Sequence, residues 1–222
     1  MTRYDTSGLV EAQYEPGSRG RVLKNKLGIK SKKEMDRAEF EAQLLALKRL
    51  AGMFNITHRF TAKDICRIHK VWLGDIYEWA GKYRRVNLSK GEFPFAGAAQ
   101  IPRLMQDFER AELKKNTPCN FKTLEETARA IATVHVELVL IHPFREGNGR
   151  AARLLADLMA MQANYPPLDY GSIKGKKRQA YFHAIQEGLN RNYEPMTDIF
   201  ISVLRRTLRR SGEQKTSSPL PP

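Results

Sequence analysis

Ile141-His142-Pro143-Phe144-Arg145-Glu146-Gly147-Asn148-Gly149-Arg150-Ala151-Ala152-Arg153 gathers a base, a carboxylate, a Gly-Asn-Gly turn and two arginines in one short span. Its flanks decide the fold. Upstream, Thr123-Leu124-Glu125-Glu126 reads as a capping box that opens a helix running to about Leu140. Ala128, Ile131, Ala132, His135, Leu138 and Val139 give that helix a broad apolar face. Pro143 interrupts the pattern. Downstream, Leu154, Leu155, Leu158 and Met161 mark a second apolar helix, from Asn148 to about Ala163. Two buried helices therefore flank a polar loop, which places reactive groups on rigid supports.

The loop residues divide by role. His142 can take a proton from a hydroxyl near neutral pH; taken alone, it reads sooner as a histidine capping the helix before it. Phe144 is apolar in a polar run and is expected to plug into the core as an anchor. Glu146 is a candidate Mg²⁺ ligand, because magnesium takes one or two carboxylates beside phosphate oxygens and water. Gly147 and Gly149 permit backbone angles closed to other residues, and their N–H groups with that of Asn148 can form an anion nest. Arg150 falls in the first turn of a helix, where a cation opposes the macrodipole and costs stability unless an anion sits beside it. Arg153 follows one turn later and could reach a terminal phosphate.

The rest of the chain reads as helical. Residues 1–30 form an arm that Leu23, Leu27 and Ile29 dock on the body. Ser31 and Glu34 open a helix to Leu50 whose apolar face is Phe40, Leu44, Leu47 and Ala51. Thr61-Ala62-Lys63-Asp64 is another capping box, and its helix runs to about Leu73. His69 on that helix reads as a core histidine, as does His135 on the later one. Residues 83–96 break the helical pattern. Arg84-Arg85-Val86-Asn87-Leu88 alternates like a strand, Ser89-Lys90-Gly91 turns, and Phe93-Pro94-Phe95 returns as an edge. Such a hairpin leaves backbone groups open to another chain. Helices follow from Ile101, Gln179 and Met196, and Ser211–Pro222 reads as a disordered tail. The fold class is all-α with one small β-hairpin.

Composition narrows the function classes. The 222 residues carry a formal charge of +14, with 41% hydrophobic and 28% charged residues. That excess suits nucleic acid, an acidic protein or a polyphosphate. Its spread along the chain reads as a solvated basic surface at least as readily as a dedicated nucleic-acid face, and nucleic acid is not expected as the substrate. Cys66 and Cys119 are too few for a disulfide or zinc framework and read as reduced thiols. No apolar run approaches membrane-spanning length, and the polar N-terminus reads as that of a cytoplasmic protein.

His142–Arg153 matches H-x-F-x-(D/E)-G-N-G-R-x-x-R at every fixed position and resembles the Fic family of nucleotidyl transferases. Further likeness lies in Ile68-His69, Trp79-Ala80-Gly81-Lys82-Tyr83-Arg84, the hairpin, and Leu23-Lys24-Asn25-Lys26-Leu27-Gly28, which looks like the leader of toxin-type members. The resemblance implies a Fic domain over 31–210, with a flap at about 83–96 and an active-site loop at 142–153. It implies AMP transfer from ATP to a Ser, Thr or Tyr hydroxyl of a target protein, possible targets including a type II topoisomerase subunit. By position, His142 is then the base, Glu146 the Mg²⁺ ligand, and Gly147, Asn148 and Gly149 the anion hole. Arg150 and Arg153 grip the outer phosphates, and Val86, Asn87, Leu88, Ser89, Lys90, Gly91 and Phe93 dock the target. Many members are held off by a helix of pattern (S/T)-x-x-x-E-(G/N). Here Ser7-x-x-x-Glu11 is followed by Ala12, so the implied off-switch is a separate small antitoxin. Other nucleotidyl or phosphoryl transfer on the same scaffold is the rival within the family, and a basic nucleic-acid-binding protein the rival outside it.

Overall fold

A computed structural model describes residues 8–91 and 93–216. The chain folds as two compact units that exchange segments along the sequence. The first holds the described residues up to Phe54, then Thr61–Asp107 and Ile141–Ala151. Its helices are α1 (Lys32–Met53), α2 (Ala62–Leu73) and α3 (Ile101–Phe108). The expected reciprocal cap is present at Thr61: its side chain accepts from Asp64 N–H while Asp64 accepts from Thr61 N–H. Ile65, Ile68, Trp72 and Leu73 of α2 pack in the core with Ile76, Tyr77, Trp79, Ile101 and Met105.

α1 turns a different face inward from the one expected. Met35, Glu39, Ala46 and Leu50 are buried, whereas Phe40 and Leu44 are 59% and 57% exposed. Apolar residues lie on both sides of this helix, and periodicity alone chose the wrong stripe. The inward face contains a glutamate because partners described below satisfy it. The arm is docked as expected by Leu23, with Val22 beside it, but Leu27 stays exposed. Lys26 ties the arm down by donating its N–H to Ile76 O (2.8 Å).

The hairpin is shorter than expected and shifted. Its strands are β1 (Ser89–Lys90) and β2 (Phe93–Pro94), antiparallel, with Ser89 opposite Pro94 and Lys90 opposite Phe93. β1 thus falls where a turn was read, and residues 84–87 form no ladder. The reason is Arg84, whose buried side chain takes the carbonyls that a strand partner would have used.

The second unit holds Asn55–Phe60, Phe108–Leu140 and the described residues from Ala152 onward. A π-helical segment, Glu109–Leu113, leads into α4 (Lys114–Asn116). Then come α5 (Leu124–Ile141), α6 (Asn148–Gln162), α7 (Lys176–Glu187) and α8 (Glu194–Thr216). The cap at Thr123 is reciprocal: Thr123 N–H donates to Glu126 (3.1 Å) and Glu126 N–H to Thr123 Oγ1 (3.1 Å). The unit's core joins Ile131, Leu138, Leu155, Leu158, Ile185, Phe200 and Val203. At Gly188 a Cβ would lie 2.1 Å from Val136 Cγ1, so only glycine allows that approach to α5. α8 continues to Thr216, through the first half of the stretch read as a disordered tail. Residues 217–222 lie outside the described residues.

Candidate active site

His142 directly follows α5 with φ +53°, a left-handed conformation in which a helix usually stops on glycine. A non-glycine residue held there costs on the order of 1 kcal/mol or more, so the surroundings must impose it. Arg84 does so. It is 1% exposed, and its Nε donates to His142 O (2.7 Å), Nη1 to Val86 O (2.7 Å) and Nη2 to Ala96 O (2.6 Å). The Arg84 N–H also donates to Pro143 O (2.8 Å). One buried guanidinium thus joins the backbone of the candidate base to both sides of the hairpin. The imidazole of His142 stacks on Phe95, just after β2, at 3.5 Å between centroids.

The turn after His142 is held from below. Phe144 is fully buried, as expected of an anchor, and stacks on His69 at 3.9 Å. Gly81 N–H donates to His69 Nδ1 (2.9 Å), so the proton sits on Nε2 and is donated to Glu146 O (3.0 Å). Burial pushes the His69 imidazole down to about 4, which keeps it neutral as this pattern requires. His69 is a core histidine, as read, with the added task of fixing a loop carbonyl.

The Asn148 side chain turns inward and clasps Phe144, accepting from its N–H (2.7 Å) and donating to its C=O (2.8 Å). Its backbone N–H is the group left for an anion. Gly147 has φ +81°, and a Cβ there would lie 2.7 Å from the Trp72 ring, so both angle and space demand glycine. Gly149 differs from expectation: it needs no left-handed angle, and open space surrounds its missing Cβ. Its smallness matters for what can approach the backbone from outside.

Arg150 also corrects the sequence reading. The anion that a first-turn cation needs is built into the chain. Nη1 of Arg150 lies 2.6 Å from Glu39 Oε2, and Glu39 is almost wholly buried. Nη2 lies 3.5 Å from Glu146 Oε1, and the guanidinium sits 4.7 Å over Trp72. Its position therefore gives no evidence of a bound phosphate.

Glu146 is half exposed, and Gly147 N–H (2.9 Å) shares its Oε1 with Arg150. Among the described residues no group of three or more His, Cys, Asp and Glu could hold a metal unaided. An ion at Glu146 would take most of its ligands from phosphate oxygens and water, a donor set that suits Mg²⁺ and fits the residues present.

The flap residues divide by placement. Val86 is buried, Asn87 Oδ1 accepts from Ala98 N–H (2.9 Å), and Leu88 O accepts from Phe95 N–H (3.1 Å). Ser89, Lys90 and Gly91 are exposed, and Phe93 is half exposed. Glu11 is buried and accepts from Arg85 N–H (2.6 Å), while Arg145 Nε donates to Glu11 O (2.8 Å). Glu11 lies in a three-residue turn, Val10–Ala12, so it is occupied elsewhere than at a motif arginine.

Arg153 belongs to the second unit. Its guanidinium lies 5.8 Å over the Tyr170 ring, and Tyr170 Oη donates to Arg153 O (3.3 Å). Beneath it His135 is a core histidine, as read, in contact with Tyr181 Oη (2.7 Å) and pushed down to about 3 by burial. Burial raises Asp157 to about 7, against the opposing pull of Leu168 N–H, Tyr170 and the charge of Arg153. The roles of Arg84, Glu39 and Asp157 were missed in the sequence, where for Glu39 and Asp157 a charge on the inward face of a helix was the only signal.

The fold and this loop define the class. Residues 59–160 match the family model of the Fic/DOC family. The chain is 31% identical over 212 residues to protein adenylyltransferase VbhT of Bartonella schoenbuchensis, covering 94% of this chain and 41% of that protein. It is 29% identical over 188 residues to protein adenylyltransferase Fic of Drosophila melanogaster, covering 84% and 37%. It therefore spans about two-fifths of the length of these curated relatives. In fold it resembles the AMPPNP-bound BepC protein of Bartonella tribocorum (TM-score 0.69, 23% identity, 88% of this chain and 97% of that one). It also resembles an ADP-bound Fic domain from Bartonella quintana (TM-score 0.65, 25% identity, 82% and 89%).

Proposed function

We propose that this chain transfers AMP from ATP to a hydroxyl side chain of a target protein. The observation that carries the reading is the held loop: a histidine whose backbone Arg84 fixes in a left-handed turn, followed by a Gly-Asn-Gly turn at the start of α6. The names of the curated relatives and the nucleotides in the similar structures support it.

His142 accepts the proton as the target oxygen attacks the α-phosphorus. The bond from that phosphorus to the bridging oxygen breaks, and pyrophosphate leaves. The N–H groups of Asn148 and Gly149 are assigned to the phosphate charge, that of Gly147 being taken by Glu146 Oε1, and the missing side chain at Gly149 leaves room for it. Arg153 is assigned to the outer phosphates. Glu146 would hold Mg²⁺, which when bound offsets the charge of the α- and β-phosphates. The hairpin presents an edge to the target backbone.

We assign the chain to the cytoplasm; none of its described helices is long and apolar enough to cross a membrane. A small antitoxin supplying an inhibitory helix is the proposed off-switch, and a type II topoisomerase subunit is one proposed target. The test is a lysate incubated with α-labelled or γ-labelled ATP, using the wild-type chain and His142→Ala. Label from the α-position that depends on His142 is expected. Label from the γ-position alone would overturn the reading in favour of phosphoryl transfer.

A further inference from the structure

Glu39 is a charged side chain on the buried face of a helix, with no place in the reaction above. A carboxylate is kept in such a place only by strong partners. It has three tethers. Tyr77 Oη donates to its Oε1 (2.7 Å), Arg150 pairs with its Oε2 (2.6 Å), and the Trp72 indole N–H donates to its backbone C=O (2.9 Å). Burial and the Glu39 charge hold the Tyr77 phenol well above its usual range, so it remains a donor. The far end of Arg150 reaches Glu146, whose Oε1 also accepts from Gly147 N–H.

We infer that Glu39 is a positioning residue for the metal-binding carboxylate: through Arg150 it sets the orientation of Glu146. Arg150 then serves as a strut between α1 and the loop rather than as a ligand of the outer phosphates. Its planar fork suits that task, since two nitrogens of one rigid plane engage two carboxylates while Trp72 supports its face. The strut joins a fixed carboxylate, which burial immobilises, to a half-exposed one that must stay aimed. Groups that orient a metal ligand in this way tune metal affinity rather than touch the substrate. The inference deepens the adenylyl-transfer reading and rests on its assignment of Glu146 as the Mg²⁺ ligand.

The test uses the full chain, with Mn²⁺ as a paramagnetic probe in the presence of ADP, read by the EPR signal of free Mn²⁺. Glu39→Gln keeps the shape of the side chain and removes its charge. It is expected to weaken Mn²⁺ binding about tenfold while ADP affinity in EDTA changes less than about twofold. Arg150→Gln should do the same, and the double variant should be little worse than either single one. Two results overturn the inference: a folded Glu39→Gln chain with unchanged Mn²⁺ affinity, or one that binds metal-free ADP more tightly. The second would mean that Glu39 competes with phosphate for Arg150. Should Glu39→Gln fail to fold, Tyr77→Phe loosens one tether and leaves the carboxylate. A severalfold weaker Mn²⁺ affinity then supports the strut, and an unchanged one refutes it. Loss of Mn²⁺ affinity in a chain that transfers no α-label would uphold the strut and refute the reaction.

Discussion

The stretch from His142 to Arg150, a loop with the first turn of α6, and the hairpin from Ser89 to Pro94 are two short pieces of one unit, built on opposite principles. Buried side chains hold the loop at nearly every residue: Arg84 on His142, Asn148 on Phe144, His69 on Glu146, Trp72 against Gly147 and Glu39 on Arg150. The hairpin has two residue pairs, and three of those four residues are exposed. Proton and phosphate chemistry needs fixed geometry, because a small misplacement raises the barrier. Pairing with another chain needs an unfilled edge. The difference fits the proposed reading, in which the reaction belongs to the loop and target docking to the hairpin. Variants in the two pieces should therefore fail in different ways.

The largest effect is expected at the base. His142→Ala should lower AMP transfer by about a hundred- to ten-thousandfold, with ADP affinity and melting temperature little changed. A drop below tenfold would mean that the loop positions nucleotide without doing the proton chemistry. Arg84→Met should come next, and in stability rather than in rate alone. It leaves one buried and two partly buried carbonyls without their donor, at about 1–3 kcal/mol each before relaxation, so a loss of roughly 3–5 kcal/mol is expected in denaturant titrations. A loss under about 1 kcal/mol would mean that Arg84 is not what sets the turn at His142.

What could be seen in the sequence follows the same division. The motif, the caps at Thr61 and Thr123 and the apolar faces of α2 and α5 are local patterns, and they appear where expected. Arg84, Glu39 and His69 act across 33 to 77 residues of sequence separation, through partners that no local pattern names. The inward face of α1 was misread because the deciding residue is a glutamate, which a hydrophobic pattern discards. The hairpin was displaced because Arg84-Arg85-Val86 alternates like a strand while its first arginine is committed to carbonyls. In each case a buried charge overruled periodicity.

A pH dependence sharpens the contrast because it acts on the loop side. His69 titrates at about 4 in the fold and near its ordinary value of about 6.5 when unfolded. The unfolded chain therefore binds more protons between those values. The stability His69 supplies is fully present above about pH 6.5 and is lost as pH falls toward 4, to the extent of about 3 kcal/mol. His135 acts in the same direction, whereas Asp157, raised to about 7, makes stability fall as pH rises. The contribution of His69 is thus read as a difference. His69→Gln should be less stable than wild type at pH 7.5, and the gap should narrow at pH 5. A constant gap would show that the histidine under the loop is not held neutral.

The smallest effect, and the most selective, belongs to the hairpin. Leu88 O accepts from Phe95 N–H, so Leu88 and Phe95 form a bonded pair across the ribbon. Pairs alternate along an antiparallel ladder. Ser89, opposite Pro94, therefore turns its N–H and C=O away from β2 and toward the open edge. Pro94 has no N–H to offer on the other edge, which leaves β1 as the strand able to pair fully with a target. Ser89→Pro deletes one outward donor without touching the bond between Leu88 and Phe95. It should raise the KM for the target protein about tenfold, near the upper value for one hydrogen bond, and leave ADP and Mn²⁺ affinity unchanged. If kcat fell with KM unmoved, the hairpin would be acting on His142 through its stacked Phe95, and the separation of docking from chemistry would fail.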